Sequence, residues 1–274
     1  MFTAAPLYDP SLPWSGPLSL TGAMPPTPRV AVVGSRAAHR RALARIPALV
    51  TQIGAGGACV ISGGAIGIDR AVHEAALAAA IPQLAVLPCP PDRPYPSQHA
   101  ALFEAIACAP ASGLLFTQAC GAAPSRGLFA SRNRLVVALS QAVIVVEART
   151  RSGSWSTGRA ALARSIPVAV VPGSPGCADL LQRGAHPLPP PAPGAPWSAL
   201  TRFLASITGA SVAFEDTPWP PRLRWLVAPL AAAGARGCSI DALDDPARAL
   251  VDLLAAERLG LVVELAPGRY RSIA

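Results

Sequence analysis

Residues 60–76 read VISGGAIGIDRAVHEAA. The run from Ala58 to Ile61 is short and apolar, the pattern of a buried strand. It ends at Ser62-Gly63-Gly64, and a third glycine, Gly67, precedes Asp69. From Asp69 to Ala80 alanines and leucines recur at helical spacing, with Asp69 near the positive end of the helix dipole. A strand, a glycine turn and a helix N-terminus make one βα unit. Glycines let such a turn bring backbones close, and free N–H groups at a helix start suit an anion. A βα turn without any ligand would carry the same residues.

Working outward, the unit repeats. Strands are predicted at Val30–Gly34, Ala58–Ser62, Gln83–Leu87, Gly113–Thr117, Ala142–Glu147 and Val168–Pro172, with helices near 38–53, 68–80, 97–108, 130–139, 156–164 and 176–183. Near-continuous apolar strands alternating with helices predict a mostly parallel sheet covered on both faces. With right-handed crossovers this is a doubly wound, Rossmann-like α/β fold, whose ligands bind beyond the carboxyl ends of the strands.

The flanks read differently. Residues 1–28 are proline-rich and predict an extended N-terminal arm packed on a Rossmann-like domain spanning 29–185. HPLPPPAPGAP at 186–196 holds six prolines in eleven positions and predicts a stiff linker, extending to 217. In 218–274, helices near 221–233, 239–244 and 246–258 precede VVEL-APGR-YRSI, two short strands about a Pro-Gly turn. Three helices and a hairpin predict a small winged-helix domain. Its third helix, PARALVDLLAAER, mixes both signs in a domain of net charge +1, so a protein contact suits it as well as DNA does.

The chain has 274 residues, 51% of them apolar, and no uninterrupted apolar run of about 18 residues, so no transmembrane helix is expected. The N-terminus lacks the basic start of a signal peptide. The six cysteines, at 59, 89, 108, 120, 177 and 238, form no CxxC pair and read as free thiols of a reducing cytoplasm. All 23 basic residues are arginine. Residues 29–184 hold 15 arginines against 6 acids, while the rest of the chain is net −1. The basic charge therefore belongs to one domain, the footprint of a polyanion-binding surface read by planar guanidinium groups.

The strand ends concentrate that chemistry. They carry Gly34-Ser35-Arg36, then Ser62 with Gly63, Gly64 and Gly67, then Arg93 and Tyr95. A loop and helix follow with Arg126, Phe129, Arg132, Asn133 and Arg134, and then Glu147, Arg149, Arg151 and Ser152-Gly153-Ser154. Arginines, hydroxyls and backbone N–H groups suit phosphates, and interleaved Phe129 and Tyr95 suit bases. A dehydrogenase is disfavoured, because G-x-G-x-x-G is absent after the first strand and the second ends in Ser62-Gly63 rather than an acid. Without lysine there is no P-loop. His39, His73, His99 and His186 form no metal pattern, no serine sits in G-x-S-x-G, and no cofactor is implied. His73 reads as a hydrogen-bonded helix–loop contact.

These segments resemble the DNA-processing protein A (DprA/Smf) family. SGGAIGIDRAVHEAAL at 62–77 is similar to the family's SGxAxGIDxxAHxxAL. VAVVGSR at 30–36, PDRPYPSQHAALFEAI at 91–106, FASRNRLVVALSQAVIVVEARTRSGSWST at 129–157, VAVVPGSP at 168–175 and LLQRGAHPL at 180–188 follow in family order. The resemblance implies a non-catalytic dimer that binds single-stranded DNA entering in natural transformation, shields it and loads the RecA recombinase. It implies that Arg36 grips a phosphate, that the 63–67 turn offers N–H donors, and that Arg126 and Phe129 contact backbone and base. Arg132 and Arg134 would be phosphate contacts or be paired internally with Asp69 or Glu147, with Glu147 organising the arginines.

Departures from the family pattern are Ser97 in place of a basic residue, His99 in place of asparagine, Ala130 in place of proline, and SGSWSTG at 152–158. Losing a charge at Ser97 should weaken phosphate binding, with Arg93 placed to compensate. Two other readings are a nucleotide-binding sensor or phosphoribohydrolase-like protein of the same superfamily, and an interaction scaffold. Arg159, where the hydrolases carry an acid, speaks against hydrolysis.

Overall fold

The computed structural model describes residues 2–122, 127–191, 197–208, 223, 226–243, 245–258 and 261–272. The predicted strands form as β3 (Arg29–Gly34), β4 (Cys59–Ser62), β5 (Gln83–Leu87), β6 (Gly113–Phe116), β7 (Ala142–Glu147) and β8 (Val168–Val170). The expected helix over 38–53 is instead two, α1 (Arg40–Leu43) and α2 (Ile46–Ala55). Pro47 sits in the first turn of α2, where its missing N–H costs nothing, and the break falls just before it. α3 (Ile68–Ala78), α4 (Ala100–Cys108), α5 (Gly127–Ala138), α6 (Gly153–Leu162) and α7 (Pro175–Gln182) complete the alternation. α6 starts three residues earlier than expected because Ser152 caps it, its Oγ accepting from the Trp155 N–H at 3.3 Å.

Period-two alternation divides each strand between two cores. Val30 and Val32 face one side, with Ile46, Leu49 and Ile53 of α2 and Val72 of α3. Ala31 and Val33 face the other, with Leu135 and Val136 of α5, Ala161 of α6 and Leu180 of α7. All of these are buried, so both faces of the sheet are covered, as parallel sheets require.

The arm and the linker both contribute more than expected. Residues Ala5–Pro6 (β1) and Ser19–Gly22 (β2) form strands, and β2 pairs antiparallel with β6, closing that edge of the sheet. At the opposite edge His186–Pro187 (β9) pairs parallel with β8. The linker expectation from 186 is thereby corrected, and the reason is that proline is tolerated on an edge strand. Residues Ser198–Thr208 form α8, whose Leu200, Phe203 and Leu204 pack with Trp197 into the α2 side of the core. Among the described residues the sheet order is β1-β2-β6-β5-β4-β3-β7-β8-β9. The chain therefore runs outward from β3 through β4 to β6, then returns to begin again at β7. β3 and β7 flank the topological switch point, where a crevice opens.

In the C-terminal part, α9 (Val227–Ala233) and α10 (Pro246–Arg258) pack with a three-stranded antiparallel sheet of Cys238–Ser239 (β10), Val262–Ala266 (β11) and Arg269–Ser272 (β12). Leu226, Leu230, Leu253, Val262 and Tyr270 make its separate core. The expected helix from 221 begins outside the described residues. No helix among the described residues is long and apolar enough to cross a membrane. The six thiols are free, four of them buried.

Candidate functional site

A groove of about 630 Å³ opens at the switch point. Its walls come from the ends of three strands and two helix starts. The segment after β3 supplies Gly34, Ser35 and Arg36, and the segment after β4 supplies Gly63 and Ala65. α5 supplies Phe129, Arg132, Asn133 and Arg134, and the β7–α6 turn supplies Arg149, Ser152, Gly153 and Ser154. Eleven of the sixteen residues expected from the sequence thus line one concavity. The walls are tied together: the Ser154 Oγ donates to the Gly34 carbonyl at 2.7 Å, joining α6 to the end of β3.

Charge sits on the rim. Arg36, Arg134 and Arg149 are exposed, and among the described residues none of the three is in an ion pair. Arg36 stacks over Phe129, with the guanidinium carbon 5.1 Å from the ring centroid. Tyr95 meets the same ring edge-on, at 6.0 Å and 79°. Tyr95 and Ile66 are both exposed beside this ring and, with Phe129, border a smaller crevice of about 50 Å³. The groove therefore offers unpaired guanidinium groups on one side and an apolar, aromatic wall on the other.

The floor corrects several expectations. Arg132 is 4% exposed, with its guanidinium bonded inside the protein. Its Nη1 donates to the carbonyl of Gly63 and, at 2.7 Å, to that of Val86. Burial lowers the pKa of its guanidinium, with the nearby Asp69 opposing. Asp69 is itself buried, and burial raises its carboxyl pKa, with Arg132 opposing. The Asp69 Oδ2 accepts from the Ala65 N–H at 3.3 Å. That donor of the glycine turn therefore faces inward, not toward the groove. Among the described residues Glu147 holds His39 rather than an arginine: its Oε2 accepts from the backbone N–H of His39 at 3.2 Å and lies 2.9 Å from its Nδ1.

Ser62, Gly64 and Gly67 lie behind the groove. Ser62 is buried, its Oγ donating to Val32 O at 2.7 Å. The Gly64 carbonyl is bonded by His99 Nδ1 at 3.0 Å. Gly67 has φ +83°, and a Cβ there would collide with the carbonyls of Ser35 and Arg36. Its role is close approach, holding the start of α3 against the segment after β3. Arg93 is exposed on its loop and does not line the groove. Arg126 lies outside the described residues. His73 bonds Gln83 on β5, its Nδ1 2.7 Å from Oε1, as a helix–strand contact.

Arg149 was named at a strand end but given no role of its own, and it lines the groove. Asp69 was named only as a helix-start acid and a candidate partner of Arg132, and it also lines the groove.

Residues 14–191 match the DNA recombination-mediator protein A family. The chain is 41% identical over 187 residues to a DNA processing protein DprA of Mycobacterium tuberculosis, covering 65% of this chain and 47% of that one. It thus spans about half the length of that relative. Among solved structures, DprA from Streptococcus pneumoniae superposes with a TM-score of 0.60 at 30% identity, over 68% of this chain and 70% of that one. DNA processing protein A from Helicobacter pylori, solved for its single-stranded DNA binding mode, superposes with a TM-score of 0.64 at 27% identity. That match covers 76% of this chain and 97% of the Helicobacter chain.

Proposed function

The chain belongs to the DNA recombination-mediator protein A family, and on that premise we propose that it binds single-stranded DNA in the groove at the β3–β7 switch point. The observation that carries this reading is the pairing of Arg36 with Phe129, flanked by Arg134 and Arg149. Exposed guanidinium groups without carboxylate partners suit a phosphate backbone. The half-buried Phe129 ring beside them, with the exposed Tyr95 against it, suits an unstacked base, which a duplex does not present. The relative solved for its single-stranded DNA binding mode shares the fold over most of its length.

The wider role follows from the same reading. The protein shields incoming single strands and hands them to RecA, in transformation or recombination, as a cytoplasmic homodimer without chemistry of its own. We read the C-terminal part as the winged helix. α10 exposes Leu250, Val251 and Leu254, an apolar face that fits a protein better than a phosphate backbone. The groove volume also accommodates a mononucleotide, which keeps the nucleotide-sensor reading as the competing outcome.

Fluorescence anisotropy of a labelled single-stranded oligonucleotide, with duplex DNA and a mononucleotide as competitors, separates the two. Tight binding that neither competitor displaces supports the DNA reading and leads to a RecA-loading assay. Absence of strand binding together with stabilisation by a mononucleotide overturns it.

A further inference from the structure

We propose that Arg132 serves strand binding as a positioning residue: it locks the glycine turn and the start of α5 into one register and takes no phosphate itself. The inference rests on the groove reading above. It begins with where the guanidinium ends. One nitrogen, Nη1, bonds two carbonyls, that of Gly63 in the turn and that of Val86 on β5. The side chain thereby joins three elements, α5, β5 and the turn after β4. A Cβ at residue 63 would collide with Nη1, so the turn and the guanidinium can occupy this space only if residue 63 is glycine.

The turn is held from three sides. Arg132 takes Gly63 O, His99 Nδ1 takes Gly64 O, and Asp69 Oδ2 takes the Ala65 N–H. Three consecutive residues thus have a backbone group tied to a buried side chain, each from a different element. The carbonyls face the interior, so the backbone that borders the groove is set before any ligand arrives. On α5, Phe129 and Asn133 lie three residues before and one after Arg132. At 3.6 residues per turn, anchoring Arg132 sets how Phe129 is presented one turn away.

Burial is the reason to separate this arginine from the others. Its neighbours Arg36, Arg134 and Arg149 are exposed, whereas Arg132 has almost no accessible surface and its Nε has no partner among the described residues. Its Nη1 is already committed to two carbonyls, and the rest of the guanidinium lies in a desolvated position where a phosphate would have to give up its hydration, at greater cost than at an exposed arginine. Arginine rather than lysine suits the site because a rigid planar fork fixes direction as well as charge.

The test compares Arg132→Lys and Arg132→Met with Arg36→Ala, reading two quantities. The first is amide hydrogen exchange of residues 63–67 in the DNA-free protein. The second is the salt dependence of oligonucleotide affinity. For both Arg132 variants we expect exchange in the turn to rise about tenfold or more and affinity to fall about tenfold, with the slope against log salt unchanged. For Arg36→Ala the slope should fall by about 0.7 with exchange as in the wild type. Should Arg132→Met fail to fold, Arg132→Lys, which keeps the charge, decides. The proposal is overturned if Arg132→Lys exchanges and binds like the wild type, or if an Arg132 variant loses slope as Arg36→Ala does with its turn still protected. If the wild-type protein binds no strand, the groove reading fails, and the exchange comparison alone decides the positioning role.

Discussion

Arg36 lies over Phe129, its guanidinium carbon 5.1 Å from the ring centroid. The phosphate-type and base-type groups of the groove are therefore one unit. In the DNA-free protein one face of the ring is already covered by a cation, and Tyr95 leans on it edge-on. A base that stacks on Phe129 must either displace Arg36 toward a phosphate or share the ring with it.

A double-mutant cycle measures that coupling. Arg36→Ala should weaken strand binding uniformly across sequences and lower the salt slope by about 0.7. Phe129→Ala should cost roughly 1–3 kcal/mol with the slope unchanged, because stacking releases no counterion. If the base displaces Arg36 from the ring, the contact of the DNA-free protein is lost on binding and the double variant should lose more than the sum by about 0.5–1 kcal/mol, the worth of an exposed cation–π pair; if the two share the ring, the losses should add. Anisotropy titrations at several salt concentrations provide all three values.

Acid should destabilise the fold through His73. Burial holds its imidazole at about 4, below the ordinary 6.5, and its Nε2 has no partner among the described residues to receive a proton. Between those values the unfolded chain binds the proton more readily than the folded one. This contribution is therefore full above the unfolded pKa and is lost as pH falls from about 6.5 through about 4. Its size is on the order of 3 kcal/mol. Urea unfolding at pH 7 and pH 5 should show the loss, and His73→Gln should reduce the difference between the two.

Gly67 and Gly57 separate close approach from backbone strain. Both have positive φ, +83° and +77°, but only Gly67 has backbone where a Cβ would go. Gly57→Ala should cost about 1 kcal/mol of stability and leave strand binding intact. Gly67→Ala should cost more, because its Cβ must push the Ser35–Arg36 carbonyls away, and it should weaken binding as Arg36 moves. Thermal denaturation and anisotropy of both variants check this.

The strand ends were legible because a doubly wound sheet turns a one-dimensional pattern into one edge. Wherever an apolar run stopped at small or basic residues, the structure places those residues at the carboxyl end of a strand. Gly34, Arg36, Asn133 and Ser154 reached the groove this way. Arg132 was less legible. Its partners are backbone carbonyls, which every sequence contains and no charge pattern marks, so an arginine buried on them looks like one at the surface. The role of the glycine turn was ambiguous for a related reason. Its glycines serve close packing against Arg132 and against Ser35–Arg36, and the spacing that packing requires is the same as that of an anion nest. The edge strands β1 and β9 were hidden because their prolines read as arm and linker, and β2 because its four residues lie inside the proline-rich arm.

The most direct test of the account is the salt dependence of oligonucleotide binding by a triple variant, Arg36→Ala, Arg134→Ala and Arg149→Ala. These three exposed cations border the groove, and among the described residues none is in an ion pair. If the strand lies there, the slope of log K against log salt should fall by about 2 relative to the wild type, near 0.7 per phosphate contact. An unchanged slope, with affinity intact, would place the strand elsewhere on the molecule.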